Sequence, residues 1–214
     1  MTKTFRLMAL SVIFSSAFAL FSFQTESKRG LARVNKLEGV EVYFMSEPLR
    51  HYVKVNESDG LLGNVSVKAL GSGGLSTPTI EEKAQRLVKN TVTMAGKDGK
   101  QIDAVIYSGG KYLIGIKFTE APTPQNEGIG RVRKINGVDA YVFAEPLAGY
   151  EKISEGKAKK RNGSSMITAG LVNSAIDEDL TKLVSSAMDD EVKAEDFAVV
   201  YNSGKTGIGI KYQQ

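Results

Sequence analysis

Histidine and cysteine, which carry much of the acid–base and nucleophilic chemistry of enzymes, are almost absent from this chain. The 214 residues include one histidine, His51, and no cysteine. The absence of cysteine excludes disulfides, thiolate metal sites and a cysteine nucleophile. A serine nucleophile needs a base, normally histidine, beside it, but no G-x-S-x-G segment accompanies His51. We therefore predict a protein that is not an enzyme and has no cofactor.

Metal and nucleotide motifs are also missing. A single histidine without cysteine does not make a transition-metal site, and no segment has the Asp/Asn spacing of a calcium loop. The G-I-G segments at 128–130 and 207–209 do not open a helix after a strand, so a dinucleotide site is not predicted. The sequence predicts no metal.

Two long stretches of the chain repeat one another in the same order. Residues 33–55 match residues 131–153 at 11 of 23 positions, and residues 103–118 match residues 197–212 at 9 of 16. We interpret this as a tandem duplication with repeats at 30–120 and 127–214. Residues 119–130, rich in proline, glycine and polar side chains, are predicted to link them.

Several polar residues are the same in both repeats and are the candidate binding residues. They are Glu47, Tyr52 and Lys54 in the first repeat, and Glu145, Tyr150 and Lys152 in the second. Lys117 and Lys211 are also retained. They could form a duplicated ligand or partner surface. Alternatively, each glutamate holds turn amides, each tyrosine packs at a sheet edge, and the lysines discourage edge pairing. We favour the structural interpretation. The sequence does not place Glu47 and Glu145 near each other, as a glycosidase would need.

The same elements are predicted in each repeat. Apolar residues alternate in the predicted strands at 39–46 and 138–143, and each strand is predicted to end at an E-P-L segment. Further strands are predicted at 64–70 and 165–171. A helix follows with an apolar stripe from Ile80 or Ile176, the first capped by Thr79 and Glu82. A hairpin with glycine third in its loop ends each repeat. The predicted fold class is α+β, each repeat being a small domain with its own core and an antiparallel sheet covered by one helix.

The first 23 residues predict export from the cytoplasm. Lys3 and Arg6 precede an apolar stretch, and Ala17-Phe18-Ala19 fits a signal peptidase site. An uncleaved anchor is the alternative. No membrane span is predicted after cleavage, which would lower the formal charge from +4 to +2. That charge does not predict nucleic-acid binding, and the basic cluster at 157–161 has no interleaved aromatic residues to stack bases.

Two short segments carry a family resemblance. "IDAVIY" at 102–107, preceded by an amphipathic helix, and "YEKISEG" at 150–156 after a strand make each repeat resemble the YbjQ-like and RcsF-like group of small α+β domains. The resemblance implies a unit that associates and serves in envelope sensing or has no known activity. The cysteines of the RcsF type are absent, so disulfide sensing and thiolate metal binding are not implied.

Three functions are consistent with these observations. The first is a non-catalytic periplasmic or secreted protein whose two domains bind an envelope protein, or act structurally or as a sensor. The second is a small-ligand-binding module with a pocket between the halves, and the third is a carboxylate-dependent enzyme. The sequence defines neither the oligomeric state nor whether the two halves dock together.

Overall fold

The computed structural model describes residues 28–59, 79–110, 112–157, 175–188, 191–204 and 206–213. The predicted signal peptide, the predicted strands at 64–70 and 165–171, and residues 158–161 of the basic cluster lie outside these ranges. Within them, no helix combines the length and the apolar character that a membrane crossing requires.

Fourteen strands and two helices make up the described part of the chain. In chain order they are β1 (Leu31–Val34), β2 (Lys36–Leu37), β3 (Val40–Phe44), β4 (Ser46–Pro48), β5 (Tyr52–Asp59), α1 (Ile80–Lys97), β6 (Ala104–Tyr107), β7 (Tyr112–Phe118), β8 (Ile129–Val132), β9 (Lys134–Ile135), β10 (Val138–Val142), β11 (Ala144–Pro146), β12 (Tyr150–Lys157), α2 (Ala175–Ala187), β13 (Phe197–Tyr201) and β14 (Thr206–Tyr212).

The larger sheet is mixed, so the prediction of an antiparallel sheet is wrong in two places. Its strand order is β12-β14-β13-β10-β3-β6-β7-β5, with β2 paired to β3 and β9 paired to β10. Strands β3 and β6 are parallel, as are β10 and β13. The reason is that a helix intervenes between the strands of each parallel pair, which lets the chain return to the sheet in the same direction.

Both sheets run across the boundary between the two repeats. In the larger sheet the repeats meet where Phe44 of β3 pairs with Val142 of β10. The smaller sheet has the order β11-β1-β8-β4, so each repeat contributes two strands, and Ala32 pairs with Gly130 at its centre. Neither sheet closes on itself within the described residues.

The apolar residues form two clusters, one on each face of the larger sheet, and each cluster takes residues from both repeats. The helices cover one face, where they pack on Val42 and Phe44, and Tyr43 belongs to the cluster against the smaller sheet. All five residues of β3 are buried because both faces of the sheet are covered. The expectation that each repeat has its own separate core is therefore wrong.

The predicted strand ends lead into the second sheet. The strand predicted to run to the E-P-L segment ends earlier, at Phe44. Ser46–Pro48 then forms β4, so Glu47 and Pro48 lie in a strand of their own. Met45 has a φ of 52° between β3 and β4, and Phe143 has a φ of 53° at the equivalent place. The Met45 N–H donates to the Tyr107 carbonyl of the larger sheet at 2.7 Å, and its carbonyl accepts from the Arg133 N–H, beside the smaller sheet, at 2.8 Å. Met45 thus passes the chain from one sheet to the other.

The helix and hairpin signals are confirmed. Thr79 accepts a hydrogen bond from the Glu82 N–H, and the Glu82 side chain accepts one from the Thr79 N–H, which completes the predicted capping box. Helix α2 covers the predicted stripe from Ile176. Gly110 and Gly204, third in the two hairpin loops, have φ values of 85° and 77°.

Candidate functional site

The predicted glutamates and tyrosines meet within each repeat. The Tyr52 hydroxyl donates to Glu47 Oε2 at 3.1 Å, and the Tyr150 hydroxyl donates to Glu145 Oε2 at 3.3 Å. Partial burial raises the pKa of both tyrosines, and the negative charge of the paired glutamate raises it further. The same glutamate–tyrosine hydrogen bond therefore forms at equivalent positions in both repeats.

The two glutamates do not meet each other. Glu47 lies on β4 and Glu145 on β11, which are the opposite edge strands of the smaller sheet. Three strand spacings, about 14 Å in total, separate those edges. A single small substrate therefore does not lie between these two carboxylates.

The predicted lysines stand apart from these pairs. Lys54 forms an ion pair with Glu57, and Lys152 forms one with Glu155. The Lys152 hydrogen bond and charge lower the pKa of the exposed Glu155 carboxyl. Each lysine therefore forms its ion pair within its own strand, and its effect on edge pairing stays a prediction.

Side chains, rather than the backbone amides that we expected, hold the second oxygen of each glutamate. Glu47 Oε1 accepts from the Arg133 guanidinium and from the Ser108 hydroxyl, the latter at 3.4 Å. Glu145 Oε1 accepts from the side-chain amide of Asn202. Ser108 and Asn202 occupy equivalent positions in the two hairpin loops, so each glutamate links its tyrosine to the hairpin of its own repeat.

Two arginines that were not among the predicted residues lie between the glutamates. Arg33 on β1 is directly opposite Glu145, and Arg131 on β8 is directly opposite Glu47. Both arginines are exposed, and neither has an ion pair or hydrogen bond within the described part of the chain. The arginine common to the start of both matched stretches was the signal that could have identified them.

The register places these two arginines near each other. Ala32 and Gly130 are paired, so Arg33 and Arg131 are diagonal neighbours on the solvent side of adjacent strands. Diagonal neighbours have Cβ atoms about 7–8 Å apart, which long side chains can span. We call the surface made by Arg33, Glu47, Arg131 and Glu145 the outer face. It presents two guanidinium groups without a partner among the described residues, flanked by two carboxylates that are hydrogen-bonded.

The chemistry available at the outer face is recognition of anions. A guanidinium group donates two parallel hydrogen bonds to a carboxylate or a phosphate. His51 is exposed, and its backbone N–H donates to Glu120. Among the described residues, no group of three or more histidine, cysteine, aspartate or glutamate side chains is arranged to hold a metal ion.

Comparisons of the chain with protein-family models, with curated protein sequences and with solved structures found no match. The resemblance to the YbjQ-like and RcsF-like group therefore stays a prediction from two short motifs, and function is argued from the site.

Proposed function

We propose that the protein is an exported, non-catalytic binding protein that holds an acidic segment of an envelope protein against the outer face. Export is inferred from the sequence of residues 1–23. The observation that carries the binding proposal is the pair Arg33 and Arg131, which are exposed and unpaired within the described residues.

We also propose that gene duplication produced the chain, and that the two repeats form a two-fold-related pair. Three contacts between the repeats support this, because each joins residues at equivalent positions. They are the backbone pairs Ala32/Gly130 and Phe44/Val142 and the ion pair Lys83/Asp179. In a two-fold-symmetric pair, residues at the axis contact their own equivalents. The two arginines then lie on either side of the axis.

Electrostatics favours an acidic partner segment. Two carboxylates on an extended segment could each accept a bidentate hydrogen bond from one guanidinium. Glu47 and Glu145, which flank the arginines, would repel the same segment in a shifted register. Because exposed charges are screened by salt, binding should weaken as ionic strength rises.

The test compares two double variants of the mature protein in a pull-down from envelope extract. Arg33→Gln/Arg131→Gln removes both free guanidinium groups. Lys117→Gln/Lys211→Gln is the matched control, because it removes two retained cations from β7 and β14 of the other sheet. We expect a partner that wild type and control recover and that the arginine variant loses. Recovery of no specific partner by wild type, or equal recovery by the arginine variant, would overturn the proposal. The thermal unfolding temperature of each variant checks that the fold is intact.

A further inference from the structure

A cavity of about 400 Å³ lies in the first repeat, away from the outer face. Its walls come from β2, β3, the segments that precede β5 and β6, and the end of β7 with the residues after it. It is therefore not the pocket between the halves that the sequence suggested. The volume is within the range of small-molecule sites, about 300–1,000 Å³. Most of its lining side chains are polar or charged, which favours a polar ligand.

A buried arginine lines this cavity and is not fully bonded. The Arg50 side chain is 6% exposed, and its Nη2 donates to Glu41 Oε2 at 2.6 Å. Its guanidinium carbon lies 3.4 Å from the centre of the Phe118 ring. Its Nε–H is buried and has no hydrogen-bond partner. Buried donors are nearly always paired in folded proteins, so the Arg50 guanidinium keeps a hydrogen-bonding capacity that the described part of the chain does not use.

The second repeat shows that the fold does not need this arginine. Ala148 stands at the position of Arg50, and Tyr212 at the position of Phe118. There the Tyr212 hydroxyl donates to Asp139 Oδ2 at 2.9 Å and bonds the Tyr141 hydroxyl at 2.6 Å. A tyrosine hydroxyl thus bonds the half-buried Asp139 carboxylate in the second repeat. Arg50 is a feature of the first repeat alone.

Two carboxylates on the cavity wall have no cationic partner within the described residues. Asp103 Oδ2 accepts the Phe118 N–H at 2.9 Å, and Glu120 Oε1 accepts the His51 N–H at 2.5 Å. Backbone amides therefore fix both groups without neutralising them. Lys36, also on the wall, is 3.9 Å from Glu127. Since Glu41 balances the charge of Arg50, the cavity as a whole favours a ligand that brings a positive group.

We propose that this cavity binds a small zwitterion of the amino-acid type. Its carboxylate accepts from the Arg50 guanidinium, and its ammonium group lies toward Asp103 and Glu120. The site is independent of the outer face, so either proposal can fail without the other.

The test is isothermal titration of the mature protein with each of the twenty common amino acids. The tightest-binding amino acid is then compared with the matched amine, which lacks the carboxylate, and with the matched acid, which lacks the ammonium group. We expect at least one amino acid to bind, and both matched compounds to bind at least about tenfold more weakly. No binding by any amino acid at about 1 mM, or equal binding by a matched compound, would overturn the proposal.

Variants locate the site. Arg50→Ala/Phe118→Tyr copies the second repeat. It gives Glu41 a tyrosine hydroxyl in addition to that of Tyr43 while removing the guanidinium, and we expect it to lose affinity at least about tenfold. Arg29→Ala is the control, because Arg29 pairs with Asp196 over the Tyr212 ring of the second repeat, and we expect unchanged affinity. Unchanged affinity in the folded double variant would contradict the proposal. If circular dichroism shows that the double variant is unfolded, Glu120→Gln at the rim of the cavity is tested instead. Unchanged affinity of Glu120→Gln would also contradict the proposal.

Discussion

Lys83 and Asp179 join the two helices at positions that are equivalent in the two repeats. The Lys83 ammonium nitrogen lies 2.8 Å from Asp179 Oδ2, and the two side chains are 7% and 25% exposed. Two identical repeats would place like charges here. Because the two charges are opposite, they favour contact between the first and the second repeat of one chain over contact between two copies of the same repeat.

Replacing one member of this pair should cost more than replacing both. In Asp179→Ala the Lys83 charge stays buried without its partner, so we expect the free energy of unfolding to fall by about 2–3 kcal/mol, less than for a fully buried pair. The charge-exchanged variant Lys83→Asp/Asp179→Lys should recover most of that loss. Urea denaturation measures both.

Lys182→Ala, which breaks the exposed pair with Glu178 on α2, is the control and should cost less than about 1 kcal/mol. If the exchanged variant were no more stable than Asp179→Ala, the ion pair would not stabilise the fold.

A second contact between the repeats involves Asp177 in the first turn of α2. Its Oδ1 accepts from the Tyr107 hydroxyl at 2.8 Å, and its Oδ2 accepts from the Gly110 N–H at 2.7 Å. We expect Asp177→Ala to lower the free energy of unfolding by about 2–3 kcal/mol, since two hydrogen bonds to a charged group are lost. Tyr107→Phe removes one of them and should cost about half as much. Equal stability of Asp177→Ala and wild type in urea would mean that the contact does not hold the repeats together.

Local signals in the sequence predicted the elements well. The Thr79 and Glu82 pattern gave the start of α1, and glycine in third place gave the hairpin loops, because both depend on hydrogen bonds or dihedral angles within a few residues. Glu47 and Tyr52 also lie around one turn, yet we expected backbone amides rather than this tyrosine as the partners of Glu47.

Long-range placement could not be predicted in the same way. The alternation at Val40–Phe44 is typical of a strand with one wet face, yet Glu41 and Tyr43 are also buried because the smaller sheet covers them. That sheet needs short strands from both repeats, which no local pattern specifies. Arg33 and Arg131 become neighbours only through its register. Sequence alone therefore identified the repeated residues and missed the face that they share.

Glycine in β12 allows α2 to lie very close to the sheet. A Cβ atom at Gly156 would lie 2.4 Å from the backbone nitrogen of Ala187, and backbone gives way less readily than a side chain. We expect Gly156→Ala to lower the free energy of unfolding by about 1–3 kcal/mol through overpacking. Gly96→Ala is the matched control, because its Cβ would meet nothing within 4 Å in α1. It should raise stability by about 0.5 kcal/mol, since alanine favours the helix. Guanidinium denaturation of both variants tests this, and equal effects would contradict the close approach.

Buried tyrosines should make the protein less stable in alkali. Burial raises the pKa of Tyr141 and Tyr201 to about 12, above the ordinary value near 10. Between these values the unfolded chain releases protons that the folded chain keeps, so this stabilisation is complete below about pH 10 and is lost as pH rises through about 12. For Tyr201 alone the loss would be about 2–3 kcal/mol.

We expect Tyr201→Phe to be less stable than wild type at pH 9, where it lacks the hydrogen bond to the Gly204 carbonyl, and to lose less stability by pH 12. The measurement is the urea unfolding midpoint as a function of pH. Tyr112→Phe is the control, because it alters an exposed tyrosine of β7, and its midpoints should follow those of wild type. Parallel curves for Tyr201→Phe and wild type would show that this hydroxyl does not link folding to pH.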